Sequence, residues 1–455
     1  MTRAAAIDRA TDYFDSGEFL TELTRRVAYP TESQDTDRAP VLRSYLADEL
    51  TPAVSRLGCT ARIVDNPAGG WPFLVARRHE DDGLPTVLLY GHADVVLGEA
   101  RRWRSGLDPW RVVVEGNRWY GRGTADNKGQ HTINLAALEQ VLRVRGCLGF
   151  NLKILLETGE ESGSPGLRQV CADHRDELAA DVLIASDGPR IAAERPTVFL
   201  GSRGSTPFTL RVNLRAGAHH SGNWGGLLRN PATVLANALA TIVDARGCIL
   251  VPGLRPPEIP DNVRRALRDI AVGGGPDDPA IDEGWGEPGL TPAERLVGWN
   301  TVEVLSLAAG NPDTPVNAIP GVAHAHCQLR SVVGTDVDKV GQVLREHLDT
   351  QGFPVIEVEV GRTMPPTRTD PDDPWVRWAV GSMERTTGAK PALLPNLGGS
   401  IPNDAFADEL GLCTIWVPHS YPACSQHAPD EHLLGPVARE ALGIMAGLFW
   451  DLGEK

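Results

Sequence analysis

Apolar residues recur at three- and four-residue spacing over residues 18–29 and 37–57, which predicts two amphipathic helices. The rhythm then changes. Short continuous apolar runs at 71–76, 86–90, 152–156 and 181–185 read as buried strands. Helical patterns at 128–144 and 164–178 separate the later runs, and Asp126-Asn127 opens the first of these helices. Strands alternating with helices predict a mainly parallel α/β sheet.

From residue 204 to 361 the pattern differs. Residues 207–214 alternate as a strand. Asn230-Pro231 starts a helix that runs to about 245, with proline well placed in its first turn. Residues 251–298 are rich in proline, glycine and acid and read as an insertion. Strands at 301–307 and 322–330, a helix at 336–348 and a strand at 355–360 follow. The order β-α-β-β-α-β is that of a ferredoxin-like unit. After Thr363-Met364-Pro365-Pro366 the chain returns to a helix at 374–387 and a strand at 414–417. The expected architecture is an α/β domain built from 1–203 and 362–455, interrupted by a smaller α+β domain at 204–361.

Composition narrows the function. The chain has 455 residues, enough at roughly 150 per domain for two or three domains. Its 59 Asp+Glu against 44 Lys+Arg give a net charge of −15, and no basic run appears. Phosphate binding needs a basic face, so a nucleic-acid partner is not expected. The 48 glycines and 35 prolines imply many tight loops. Seven scattered cysteines with no C-x-x-C pair suit a reduced, cytoplasmic chain rather than a disulfide framework. Residues 1–9 lack the apolar stretch of a signal peptide, and no apolar run approaches the ~18 residues that a membrane span needs. There is no G-x-S-x-G, no G-x-G-x-x-G after a strand and no P-loop Gly-Lys pair, which argues against serine-hydrolase and dinucleotide chemistry.

The candidate chemistry sits where the strands end. The run at 86–90 leads into Gly91-His92-Ala93-Asp94, that at 152–156 into Glu157-Thr158-Gly159-Glu160-Glu161-Ser162-Gly163, and that at 181–185 into Ser186-Asp187-Gly188. Asp126 lies in a glycine-rich loop, Gly121-Arg122-Gly123-Thr124-Ala125-Asp126, ahead of a helix. Open α/β sheets gather ligands outside the carboxyl ends of their strands, so these pieces are expected to converge on one crevice. Histidine and carboxylates without cysteine suit a catalytic rather than structural zinc site. Any one of these motifs alone reads as a surface turn or a solvated helix start. Their order, each at a strand end, points to a metal site.

Together these residues resemble metallopeptidase family 20, which includes aminoacylases, acetylornithine deacetylases, succinyl-diaminopimelate desuccinylases and carnosine-type dipeptidases. The motifs are Gly-His92-Ala-Asp94-Val-Val, Gly-Arg-Gly-Thr-Ala-Asp126-Asn-Lys-Gly, Thr-Gly-Glu160-Glu161-Ser-Gly-Ser, Ser-Asp187-Gly and Gln-His427-Ala-Pro-Asp-Glu431. The resemblance spans about residues 18–450. It implies a zinc-peptidase-like catalytic domain with a lid and dimerisation domain inserted in it. It also implies two divalent ions, zinc first, with cobalt or manganese compatible with the same ligands. His92 and Asp187 would hold one ion, Glu161 and His427 the other, and Asp126 would bridge them. Glu160 would be the general base, and Asp94 would fix the tautomer of His92.

The smaller domain resembles the carnosine-type dipeptidase branch. Its Ala218-His219-His220-Ser221-Gly222 segment is similar to that branch's lid motif. The likeness implies that His220 reaches across a homodimer interface to stabilise the oxyanion. By the same resemblance Arg330, assisted by Asn317, would clamp a substrate carboxylate, and Gly399-Ser400 would form a substrate-binding loop. Three positions depart from the branch: Leu97 stands where proline is expected, Leu397-Gly398 precedes Gly399 where glutamate is usual, and Asp430 replaces asparagine. The expected activity is cleavage of an amide bond in a small dipeptide. An N-acyl amino acid deacylase is the alternative, and a metal-binding assembly protein without catalysis is a reading from another class. Of the other histidines, His131 is expected to be structural, His432 exposed, and His419 a secondary candidate for lining the pocket. Trp103, Trp110 and Trp119 are expected in the core.

Overall fold

The buried runs form neighbouring strands. In the computed structural model, which describes residues 1–273 and 279–455, the large sheet runs Thr60–Val64, Phe73–Arg78, Asn151–Glu157, Thr86–His92, Val182–Ala185, Cys413–Trp416, Thr197–Phe199, Ala392–Leu394. Its centre is parallel: Thr86–His92 pairs that way with both Asn151–Glu157 and Val182–Ala185, and Cys413–Trp416 continues the pattern. The pairings at Thr60–Val64, Phe73–Arg78 and between Trp416 and Phe199 are antiparallel, so the sheet as a whole is mixed. The parallel strands are buried on both faces, which is why they read as unbroken apolar runs.

The helix Lys128–Arg145 packs on this sheet beneath the strand ends. Two helices outside the sequence reading join it, Arg3–Asp15 and Gly435–Leu452. The segment expected as one helix at 37–57 is three pieces, Ala39–Tyr45, a π-turn at Leu46–Leu50 and Thr51–Arg56, with Pro52 near the start of the last. The 164–178 helix likewise splits into Leu167–Asp173 and Arg175–Leu178, with His174 between them out of helical conformation. Trp103 and Trp119 are buried, as core packing requires, whereas Trp110 is only half-buried.

A second sheet runs Thr301–Ala308, Val322–Ser331, Gly204–Asn213, Ile356–Val360, all antiparallel. This is the ferredoxin-like order. Alternation does the work here: Phe208, Leu210, Val212, Ala323, Ala325 and Leu329 face inward, packed with residues of helices Pro231–Ile242 and Val340–Thr350. The insertion holds two short helices, Asp261–Leu267 and Pro292–Val297, around Val263, Leu267, Ala293 and Val297. Its residues 274–278 lie outside the described residues.

By contacts the chain forms two units. One is Met1–Gly201, Thr369–Leu394 and Pro402–Lys455; the other is Ser202–Arg368 with Pro395–Ile401. The boundaries shift from those expected in two respects: residues 202–203 and 362–368 fall in the smaller unit, and so does a separate later segment. Pro395–Ile401, which carries Gly399 and Ser400, belongs to the smaller unit. Asn396 donates to the Ser202 and Thr367 carbonyls, and Ser202 bridges to Leu397.

Candidate metal centre

His92 ends its strand fully buried. Its Nε2 lies 2.9 Å from Asp126 Oδ1 and 3.9 Å from Asp187 Oδ2. Its Nδ1 faces Asp94, 3.2 Å from the carbonyl and 3.3 Å from Oδ1. Asp94 thus fixes which nitrogen points at the crevice. The same carboxylate accepts from Glu160 N at 3.2 Å and Glu161 N at 3.0 Å. One buried side chain therefore pins both His92 and the glutamate turn, which is a 3-10 turn at Glu160–Ser162.

Asp126 stands between the two histidines. Its Oδ2 is 3.0 Å from His427 Nε2, which is itself 3.0 Å from Glu161 Oε2. Gln426 Nε2 also donates to Asp126 Oδ2. Ligand-type atoms of His92, Asp126 and Asp187 lie within 4.8 Å of one another, as do those of Asp126, Glu161 and His427 and those of His92, Glu160 and Glu161. All six candidates from the strand ends and loops, with His427, come together.

The protonation pattern describes a site built for cations. Burial opposes charge on His92, but hydrogen bonds to Asp126 and Asp94 outweigh it and hold the imidazolium well above the usual histidine range. Hydrogen bonds to Asp126 and Glu161 push His427 up to about 11. Burial raises Asp126, yet the hydrogen bonds from both histidines hold it well below the usual carboxylate range. Burial and the charge of Asp126 raise Glu161 to about 7 and Asp187 to about 6. Glu160 is raised well above its ordinary value, chiefly by burial, with Asp187 and Glu161 adding to it. Divalent ions would satisfy this group of carboxylates together. The donor set fits such ions, and Glu161 Oε1 is buried with no hydrogen-bond partner.

Supporting side chains surround the ligands. His131 Nδ1 donates to the His92 carbonyl at 3.0 Å, and its Nε2 meets the Tyr45 hydroxyl at 3.1 Å. His419 is fully buried with Nε2 3.0 Å from Ser186 Oγ, so it backs the Asp187 turn. His432, expected to be exposed, is buried, and its Nε2 receives the Tyr421 hydroxyl at 2.5 Å. Gly129 is required by its surroundings: a Cβ there would lie 2.0 Å from the Thr124 carbonyl oxygen. His427 itself has φ 60 and Asp430 φ 62, left-handed conformations that cost most residues energy but suit aspartate better. Asparagine and aspartate both tolerate that region, so the departure at Asp430 keeps the turn.

The remaining candidates lie in the smaller unit. His220 is exposed, in a two-residue ladder with Ala318, and its Nδ1 accepts from Gly222 N at 3.1 Å. Asn317 holds this turn through its carbonyl, which accepts from Ser221 N at 2.9 Å. Arg330 Nη1 donates to Ser400 Oγ at 2.9 Å, and that hydroxyl donates to the Arg203 carbonyl at 2.8 Å. Gly399 is exposed, and a Cβ there would meet only Leu397.

Residues 88–450 match the profile of peptidase family M20/M25/M40. The chain belongs to that family. It is 28% identical over 332 residues to a cysteinylglycine-S-conjugate dipeptidase of Corynebacterium striatum, with 70% of each chain aligned. It is 31% identical over 265 residues to the β-Ala-His dipeptidase of Mus musculus, covering 54% of this chain and 53% of that one. The chain thus spans about half the length of that mouse relative. An M20 family metallo-carboxypeptidase from Sulfolobus solfataricus has the same fold, with a TM-score of 0.82 at 24% identity over 96% of this chain and 100% of that one. Among the described residues of this family member, no helix is long and apolar enough to cross a membrane.

Proposed function

We propose that this member of the family is a metal-dependent hydrolase that cleaves the amide bond of a small dipeptide. The observation that carries the reading is Asp126, whose two oxygens face His92 on one side and His427 on the other. His92 and Asp187 would hold one divalent ion, Glu161 and His427 the second, and Asp126 both. Zinc is the ion proposed. Such ions supply polarisation of a scissile carbonyl and acidification of a water near neutral pH. Glu160, half-buried and not engaged with His427, takes the proton of the attacking water and delivers it to the leaving amine. Asp94 keeps His92 Nε2 free for its ligand role.

In the smaller unit, His220 is assigned to the oxyanion and Arg330, with Asn317, Gly399 and Ser400, to the substrate's carboxylate. The planar fork of arginine suits two oxygens. A homodimer through this unit is proposed as well. Leu305 and Leu307 are 63% and 56% exposed on the edge strand Thr301–Ala308, a patch with free backbone groups of the kind that a second chain covers. A cytoplasmic setting fits seven unpaired cysteines, of which Cys59, Cys171, Cys248, Cys327 and Cys424 are buried. The Corynebacterium and mouse relatives named above are dipeptidases, so an N-acyl amino acid deacylase is not favoured.

A panel of dipeptides set against N-acetyl and N-succinyl amino acids tests the substrate class. Hydrolysis of dipeptides at rates well above the acylated set supports the reading. Hydrolysis of the acylated set alone would replace it with the deacylase.

A further inference from the structure

Glu431 has no assigned role, yet it is 1% exposed and its carboxylate is fully engaged. Its Oε1 accepts from Gly123 N, Ala125 N and Asp126 N, each at 3.0 Å. Its Oε2 accepts from Gly123 N at 3.1 Å and from Arg122 Nη1 at 2.9 Å. The Glu431 carbonyl also receives Gly121 N at 3.0 Å. Successive backbone N–H groups converging on one anion form a nest. Here the anion is a side chain of the protein. Gly123, with φ 86, gives the loop the left-handed turn that aims its N–H inward.

The consequence is geometric. The nest is the loop that carries Asp126, and Glu431 lies four residues beyond His427. One carboxylate therefore ties together the two segments that supply Asp126 and His427, more than 300 residues apart in sequence. A structural ion pair with Arg122 would need only one of these contacts. The other acceptor positions are spent on the backbone of the Asp126 loop.

We propose that Glu431 is a positioning residue for the metal centre: it holds Asp126 in register with His427 so that both can share one ion. This rests on the metal-site reading above and adds a residue that touches no ion itself. Second-layer carboxylates of this kind typically change metal affinity by about 10–100-fold.

The test is zinc binding to chelator-treated protein, measured by competition with a chromophoric chelator, for the wild type, Glu431→Gln and Glu431→Ala. Circular dichroism and thermal melting are recorded alongside. Glutamine keeps one acceptor oxygen for the nest but loses the charge facing Arg122. The expected result is two bound zinc ions in the wild type. In Glu431→Gln, affinity at one position falls about tenfold or more, with the folded spectrum retained. Cobalt-substituted Glu431→Gln should show a changed visible absorption, which a role confined to folding would leave alone. Two zinc ions at wild-type affinity and an unchanged cobalt spectrum in a folded Glu431→Gln would overturn the proposal. If Glu431→Ala does not fold, Glu431→Gln decides alone. A wild type that binds no zinc would instead sink the metal-site reading.

Discussion

The candidate metal ligands, apart from His427 with its side chain 54% exposed, and the candidate substrate residues are built in opposite ways. His92, Asp126 and Asp187 are buried at strand ends or in a loop with a packed floor, and their partners are fixed by other buried groups. His220, Asn317 and Gly399 are exposed, and the turn carrying His220 is held by backbone bonds to Asn317 in a two-residue ladder. The first region is organised by hydrogen bonds among its own side chains and backbone. The second is held lightly, as suits groups proposed to accommodate a substrate.

The largest effect should come from the rigid region. Glu160→Ala is expected to lower kcat by about 10²–10⁴ while zinc content stays at two per chain, because the proposed general base is removed and none of the proposed ligands is lost. Metal analysis beside steady-state kinetics checks this. Unchanged turnover would remove Glu160 from the mechanism.

His220→Ala tests the exposed region at comparable depth. Loss of an oxyanion donor should cost about 10²–10³ in kcat with little change in KM. If His220 serves a partner chain, mixing this variant with an inactive Asp126→Ala chain under subunit exchange should restore some activity. Absence of complementation would confine His220 to its own chain.

A smaller effect is expected at Arg330. Arg330→Lys should raise KM roughly tenfold or more for a substrate with a free carboxylate, since lysine loses the two-toothed contact. A carboxamide substrate should hardly notice the change. Equal effects on both substrates would end the clamp assignment.

The smallest is a pH effect on stability that should differ in sign with and without zinc. His427, raised to about 11, and Glu161 and Asp187, raised to about 7 and 6, all bind protons more tightly when folded. Their contribution in the metal-free protein is full at low pH for each group and is lost as pH rises through the folded values. Zinc needs these ligands deprotonated, so its binding strengthens over the same range. The gap in Tm between zinc-loaded and metal-free protein should therefore widen from pH 6 to pH 8. A gap that narrows would contradict the ligand assignment.

The same contrast explains what could be read from the chain. Buried parallel strands announce themselves as apolar runs, and three of the runs here lead into a candidate residue, so the centre was legible in short motifs. Helix Gly435–Leu452 was not, because it is buried on every side from Ala441 to Leu452 and shows no polar face to give periodicity. The strands Thr197–Phe199 and Ala392–Leu394 are too short to carry a pattern. Glu431 stands in a recognisable motif, but its work is done on backbone N–H groups of a distant loop, and a sequence does not display which loop those are. Likewise Ser400 reads as a substrate group, whereas its hydroxyl is occupied by Arg330 and the Arg203 carbonyl.

The central claim is that one cluster holds two ions and that both are needed for peptide cleavage. The most direct measurement is dipeptide hydrolysis by chelator-treated protein as zinc is added in fractions of an equivalent. The account predicts no turnover without metal, a rise that completes at two equivalents per chain, and no rise at all in Asp126→Ala. Full activity at one equivalent, or activity that survives the loss of Asp126, would contradict it.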